Sequence, residues 1–432
     1  MVNETLHNRS EYVFSNLATY FEEPIELVSG EGSFVFDAYN KKYLDFIGGI
    51  VTISIGHNHP RITSKLKELL EKKQIQHTST LFLSSYVGEA AKKLINLSGA
   101  RDYEVYFSNS GSEANEIACL AAREFTKSQT IISLRHSYHG GTNATLSLCG
   151  HSSWRFHHQP TSSVLHSEAP YCYRCPYDKR PESCDTPCAD DLDKIIQTCS
   201  SGNVAGIIVE PVMGVGGFID GPKKYFQKIY EIIKDNGGLF ISDEVQTGVG
   251  RLGKNFFGAE DFGIKPDIYT MAKSLGNGVP VGATIAKKEI VKSLHGKTHF
   301  STFGGDPFQM AQVHEVLSEI EESNLIQNAY EKGELIKSFL LEAKKDFSFI
   351  GDVRGRGLLI GVEVVSYETG DPDPKKTQEI MELCKRNRLL IGKGGLKGNV
   401  LRIAPPLNIS IDEVELFKQK MSEALKNANM TC

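Results

Sequence analysis

Lys273, Asp243 and Glu210 stand at or near the ends of three separate apolar runs, DIYTMA (267–272), LFISDEV (239–245) and VAGIIVEPV (204–212). A fourth run, EVYFS (104–108), leads through Ser110, Gly111 and Ser112 into the helical pattern SEANEIACLAAREFT. Each residue has a plain reading. A lysine after a strand is commonly solvated, acids often sit at strand ends, and Ser110 or Ser112 can simply cap a helix. Each also has a chemical reading. A primary amine forms a Schiff base once burial or a nearby cation lowers its pKa. An acid in an apolar setting such as SDEVQTG needs a cation or donor to meet it, because unpaired burial is costly. Backbone N–H groups at the SNSGSEAN turn suit a phosphate, and Tyr138 in SYHGG offers a ring that can stack on a flat group. A Schiff-base amine, an acid for a ring nitrogen, a phosphate cradle and a stacking aromatic together describe a pyridoxal phosphate site.

Such residues act together only if the chain brings them to one edge. The apolar runs are short and bounded by turn residues, which predicts buried strands. Between them lie amphipathic stretches: Ala114, Ile117, Ala118, Ala121 and Ala122 repeat at helical spacing, and KYFQKIYEIIKDNGG predicts a helix closed by glycine. Strands alternating with helices predict an α/β fold with a mostly parallel sheet covered on both faces. Open sheets of this kind take ligands beyond the carboxyl ends of their strands, where the four sites fall. From about Phe308 a long helical pattern and strands near GRGLLIGVEVV and VLRIAPP predict a smaller α+β C-terminal domain.

The chain has 432 residues, 40% hydrophobic and 23% charged, with a formal net charge of -5. That balance carries no basic footprint for nucleic acid or an anionic membrane, so neither is expected as a partner. FIGGIVTISIG is too short to span a bilayer, and the charged N-terminal stretch does not resemble a signal peptide, so a cytoplasmic protein is expected. Four of the nine cysteines, Cys172, Cys175, Cys184 and Cys188, form a C-x2-C and a C-x3-C in a proline-rich stretch. Zinc binding, a local disulfide and reduced thiols are all open to them. No metal is assigned to the site.

The motifs YLDFIGGIVTISIGHNHP, HTSTLF, NSGSEANE, SYHGG, EPVMGVGG, DEVQTGVGRLG, PDIYTMAKSLGNGVPVGA, STFGG, GDVRGRGLLIGVE and LRIAPPL follow one another over essentially the whole chain. In that order they resemble the class III pyridoxal-phosphate-dependent aminotransferases of the type I fold, and within them the alanine–glyoxylate type. The resemblance implies an N-terminal segment (1–50) packing with the small domain, a large cofactor-binding domain (51–307) and a small domain (308–432). It makes Lys273 the Schiff-base lysine and the base that moves the α-proton. Asp243 would hold the ring nitrogen, Gln246 the phenolic oxygen, Val245 and Tyr138 the two ring faces, and Gly111 and Ser112 the phosphate. Glu210 would support the ring. Thr302 in STFGG would complete the cradle of a neighbouring subunit, which implies a homodimer or higher oligomer.

Arg402 in LRIAPPL matches the arginine that clamps a substrate carboxylate, and Ile50 and Tyr20 match pocket walls. Ornithine- and GABA-type relatives carry a glutamate where this chain has Val215, so Arg402 is expected to stay available for α-carboxylates. Small amino donors such as alanine, with β-alanine also in range, and 2-oxo acid acceptors such as pyruvate or glyoxylate follow. Met213 replaces a common glutamine and is expected to reshape the pocket floor; Asp306 replaces an asparagine and adds charge near the phosphate side. The same cofactor also serves amino-acid racemases or epimerases and amino-alcohol phosphate lyases among such relatives, which are the alternative activities.

Overall fold

The computed structural model describes residues 2–156 and 163–430. Its central sheet runs in the order Tyr103–Ser108, Gly282–Lys287, Ile268–Met271, Leu239–Asp243, Gly206–Val209, Ile131–Leu134, Val164–Ser167. Neighbours pair in parallel except at Gly282–Lys287, which is antiparallel to both strands beside it. The strands Gly206–Val209, Leu239–Asp243 and Ile268–Met271 are buried at every position. Burial on both faces is why their sequences are continuously apolar rather than alternating.

Helix Lys223–Asp235 buries Tyr225, Phe226, Ile229 and Ile233 on one stripe. Beyond its end Gly237 takes φ 70°, a left-handed turn that glycine adopts without a Cβ clash. Helix Gly111–Thr126 buries mostly alanines, and these small side chains let it lie close on the strands. Its packing against the strands Gly282–Lys287 and Ile268–Met271 holds its N-terminus at their edge of the sheet.

A second, antiparallel sheet runs in the order Ile350–Arg356, Leu359–Val364, Val400–Ile403, Gly392–Gly394. Helices Leu325–Asp346, Pro374–Arg386 and Ile411–Asn429 accompany it. Near the N-terminus, Leu27–Glu31, Phe34–Asp37 and Lys42–Asp45 form a sheet whose last strand pairs in parallel with Leu389–Leu390. The opening of the chain is therefore stitched to its closing part by backbone hydrogen bonds. Helix Pro307–Glu322 packs on Pro60–Glu71 and Ser85–Ser98 as well as on Leu325–Asp346. Arg61 adds ion pairs across that contact to Glu315 and Glu322, both at 2.6 Å.

Cys172, Cys175, Cys184 and Cys188 are free thiols around a small enclosed cavity that Pro176 and Pro181 also line. Burial pushes the Cys172 thiol up to about 11 and the Cys188 thiol up to about 12. Thiols held protonated in this way are poor nucleophiles. Among the described residues no group of three His, Cys, Asp or Glu side chains is arranged to hold a metal ion. Among the same residues no helix is long and apolar enough to cross a membrane.

Candidate active site

A cavity of about 360 Å³ opens beyond the carboxyl ends of the central strands. Ser110, Gly111, Ser112, Tyr138, Glu210, Asp243, Val245, Gln246 and Lys273 all line it. The site residues that were scattered over more than 160 positions of sequence thus converge on one space.

Lys273 begins a short 3-10 turn, Lys273–Leu275, directly after the strand Ile268–Met271 and Ala272. Its backbone sits at φ 44°, a left-handed conformation that a lysine adopts only when its surroundings impose it. The surroundings are visible. Ser274 Oγ donates to Val51 O at 3.1 Å, and Ser54 Oγ donates to Ser274 O at 2.7 Å. Asn277 Oδ1 accepts from Ser54 N and Ile55 N at 2.7 and 2.9 Å, while its Nδ2 donates to Gly56 O at 3.0 Å. The lysine turn is thereby sewn to residues 51–56, more than 200 positions away. Burial pushes the Lys273 amine down to about 8, with Arg402 acting in the same direction and Asp243 and Glu210 against it.

Asp243 is 3% exposed. Its Oδ2 meets Asn115 Nδ2 at 2.8 Å and His139 Nδ1 at 2.7 Å, and its Oδ1 accepts from Val245 N at 3.0 Å. A carboxylate only accepts, so the contact places a proton on His139 Nδ1. Asn115 is itself oriented: Thr270 donates to its Oδ1 at 2.6 Å, which turns its amide nitrogen toward Asp243 and His139 O. Glu210 Oε1 accepts from Tyr138 N at 2.9 Å and Oε2 from Gly214 N at 2.8 Å. Burial pushes this carboxyl up to about 7; His139 lowers it and Asp243 raises it.

At the other end of the cavity Ser110 caps the helix, its side chain accepting from Glu113 N at 3.2 Å. The capping reading of this serine therefore holds. The first helical N–H groups, on Gly111 and Ser112, have no intrahelical carbonyl to meet and border the cavity. Ser112 Oγ accepts from Gly141 N at 3.0 Å. A Cβ at Gly140, which has φ 140°, would collide with Ser112 Oγ, so only glycine lets the loop approach the helix end. The ring of Tyr138 meets Trp154 edge-on at 5.0 Å.

Arg402, on the strand Val400–Ile403, is 3% exposed and stands behind Gln246 rather than on the cavity wall. Its Nη2 donates to Gln246 Oε1 at 2.6 Å, and its guanidinium lies 4.5 Å from the Phe218 ring centre. Tyr20 and Ile50 line a second, largely apolar cavity of about 510 Å³, with Ile47, Leu390 and Ile391. Neither residue borders the cavity lined by Lys273. Residues 48–51 explain the placement of Ile50: Gly48, Gly49, Ile50 and Val51 all have positive φ, a left-handed turn held by Asp45 Oδ1, which accepts from Ile47 N and Gly48 N. Thr302 is exposed on a loop and does not border this chain's own cavity.

Met213 is buried in the core, 1% exposed, in a two-residue strand pairing with Ile219–Asp220. It does not reach the cavity, so it does not shape the pocket floor. Asp306 accounts for itself locally: its Oδ1 meets His77 Nδ1 at 2.6 Å, just before the helix Pro307–Glu322. Asn115, His139, Ser274 and Asn277 were not singled out from sequence. Asn115 lies one helical turn after Gly111, His139 beside Tyr138, and Ser274 beside Lys273, so adjacency to a site residue was the signal available.

This arrangement fits pyridoxal phosphate. The helix end can take the phosphate, the fixed Asp243 a ring nitrogen, and the amine of Lys273 a carbonyl carbon, with Tyr138 and Val245 on the cavity walls. The family model of aminotransferase class III matches residues 19–425. Alanine–glyoxylate aminotransferase 2 homolog 2 of Arabidopsis thaliana, a mitochondrial protein by name, is 37% identical over 97% of this chain and 87% of its own. A leucine/methionine racemase of Thermococcus litoralis is 33% identical over 98% of this chain and 96% of its own. The crystal structure of a Bacillus anthracis aminotransferase superposes with a TM-score of 0.90 at 31% identity, covering 99% of this chain and 98% of that one. With sequence, fold and cavity in agreement, the chain belongs to the class III aminotransferases and is a pyridoxal-phosphate-dependent transaminase of the type I fold.

Proposed function

We propose that the enzyme moves an amino group from a small amino acid, alanine or an ω-amino acid such as β-alanine, to a 2-oxo acid such as pyruvate or glyoxylate. The observation that carries this reading is the partner of Arg402, a neutral amide rather than an acid. A guanidinium held by an uncharged group keeps its charge for an incoming carboxylate, which it binds bidentately. Val215, where ornithine- and GABA-type relatives carry a glutamate, leaves that charge unmasked.

Pyridoxal phosphate, when bound, supplies an electron sink for negative charge at the substrate α-carbon. The protein's own groups do the rest. Gly111 and Ser112 would hold the phosphate, and Asp243, fixed by Asn115 and His139, would hold the ring nitrogen. Lys273, with an amine near 8, has a neutral fraction at physiological pH that can accept the α-proton and return it. Thr302, exposed on its loop, would reach a second copy of the chain, so the working unit is a homodimer or larger.

The test is to mix holoenzyme with L-alanine alone. Loss of the visible band of the lysine-bound cofactor, with pyruvate formed in proportion to active sites, is the expected result. The Thermococcus litoralis relative supports a second reading, racemisation, which requires an acid or base on the ring face opposite Lys273. D-alanine appearing while the band persists would transfer the assignment to that activity. No response to alanine would overturn the donor class.

A further inference from the structure

Gln246 touches both parts of the site. Its side chain lines the cofactor cavity, while its Oε1 accepts from Arg402 Nη2 at 2.6 Å. Arginine has only donors, so the amide must present its oxygen to Arg402 and keep its NH₂ for another partner. Gln246 lines the cofactor cavity, where a bound group can meet that NH₂. Gly214 makes the pose possible, because a Cβ there would collide with the Gln246 amide. Arg402 Nε is buried without a partner. A buried guanidinium with one neutral acceptor and an orphaned N–H is under-satisfied, and a carboxylate would serve it better.

We propose that Gln246 is the latch of Arg402: the amide that holds the arginine before substrate arrives also offers its NH₂ to the cofactor, so carboxylate capture and amide orientation are coupled. This rests on the transaminase reading above and adds a regulatory contact within the same site. When Arg402 turns to a carboxylate, Gln246 Oε1 loses its charged donor and the amide is free to rotate. The cofactor-facing hydrogen bond then weakens or changes partner, and the lysine-linked cofactor records it. Gln246 is on this account a positioning residue, acting on the cofactor and on Arg402 together.

The test uses the visible absorption of holoenzyme titrated with pH, with and without propionate, a carboxylate that has no amino group to react. The groups facing Lys273 are Asp243, Glu210 and Arg402, and those facing Arg402 are Tyr20 and Glu210, all kept in every variant except where named. Wild type, Arg402→Met, Gln246→Met and the double variant form a cycle. The latch predicts that propionate shifts the band's midpoint in wild type and that Gln246→Met shrinks this shift while still binding propionate. It also predicts that Arg402→Met changes the band's proton affinity by a factor differing about threefold or more between the two Gln246 backgrounds. Equal factors in both backgrounds would mean that Arg402 acts through space by its charge alone, and would overturn the latch. A purified chain that takes up pyridoxal phosphate with no visible band would instead overturn the underlying transaminase reading, so the two failures are separable.

Discussion

Asn277→Ala gives the sharpest test of how Lys273 is held. Asn277 is 8% exposed, and its amide satisfies three buried backbone groups, the N–H of Ser54, the N–H of Ile55 and the carbonyl of Gly56. Alanine leaves all three unpaired, at a cost of at least about 1 kcal/mol each. The sum is at least about 3 kcal/mol. With about 2.1 cal/mol/K of unfolding entropy per residue, a chain of this length should melt about 3 °C or more lower. Ser274→Ala removes only the bond to Val51 O and should cost about 1 kcal/mol, or about 1 °C. The assay is thermal melting of both apoenzymes at one scan rate, with cofactor retention after gel filtration as the functional readout. A melt for Asn277→Ala within about 1 °C of wild type, or equal losses for the two variants, would refute the idea that this asparagine clamps the lysine turn.

Three further outcomes are expected. Arg402→Lys should lower kcat/KM for alanine about 10²-fold or more, because bidentate pairing is lost, yet change kcat/KM for 1-phenylethylamine less than about threefold; equal losses on both substrates would remove the carboxylate role. Glu210 has a folded-state pKa of about 7, raised above the ordinary 4.5, so the folded state holds the extra proton and wild-type stability falls as pH rises from about 4.5 through 7. Urea unfolding of the apoenzyme should show Glu210→Gln gaining on wild type by up to about 3 kcal/mol across that window and level above it, whereas parallel curves would refute the assignment. Thr302→Ala should weaken cofactor retention without changing the mass of the oligomer in light scattering, and the loss should be rescued in mixed oligomers with a Lys273→Ala partner; absence of rescue would argue against a shared site.

Local pattern was enough for the strands and helices that carry the chemistry. Apolar runs of four or five residues, ending at Asp243 or just before Glu210 and Lys273, predict buried strands by their length and turn-residue bounds, and the alanine-rich repeat after Ser110 predicts a helix. Their shared edge followed from the parallel topology. Pattern could not decide between neighbouring residues. Asp243 and Glu244 are adjacent acids, but successive strand residues face opposite ways. Asp243 turns to the cavity, while Glu244 is taken up by Ser242, Thr247, Gly258 N and Ala259 N. Nor could it show that Arg402 rests on Gln246, that Thr270 aims Asn115 at Asp243, or that Asn277 sews the lysine turn to residues 54–56. Each of these contacts joins positions more than 100 residues apart. Periodicity within one segment records which face of that segment is buried. It holds no record of what the other segment brings to the contact, and that is settled only when the chain has folded and each buried polar group must find its partner.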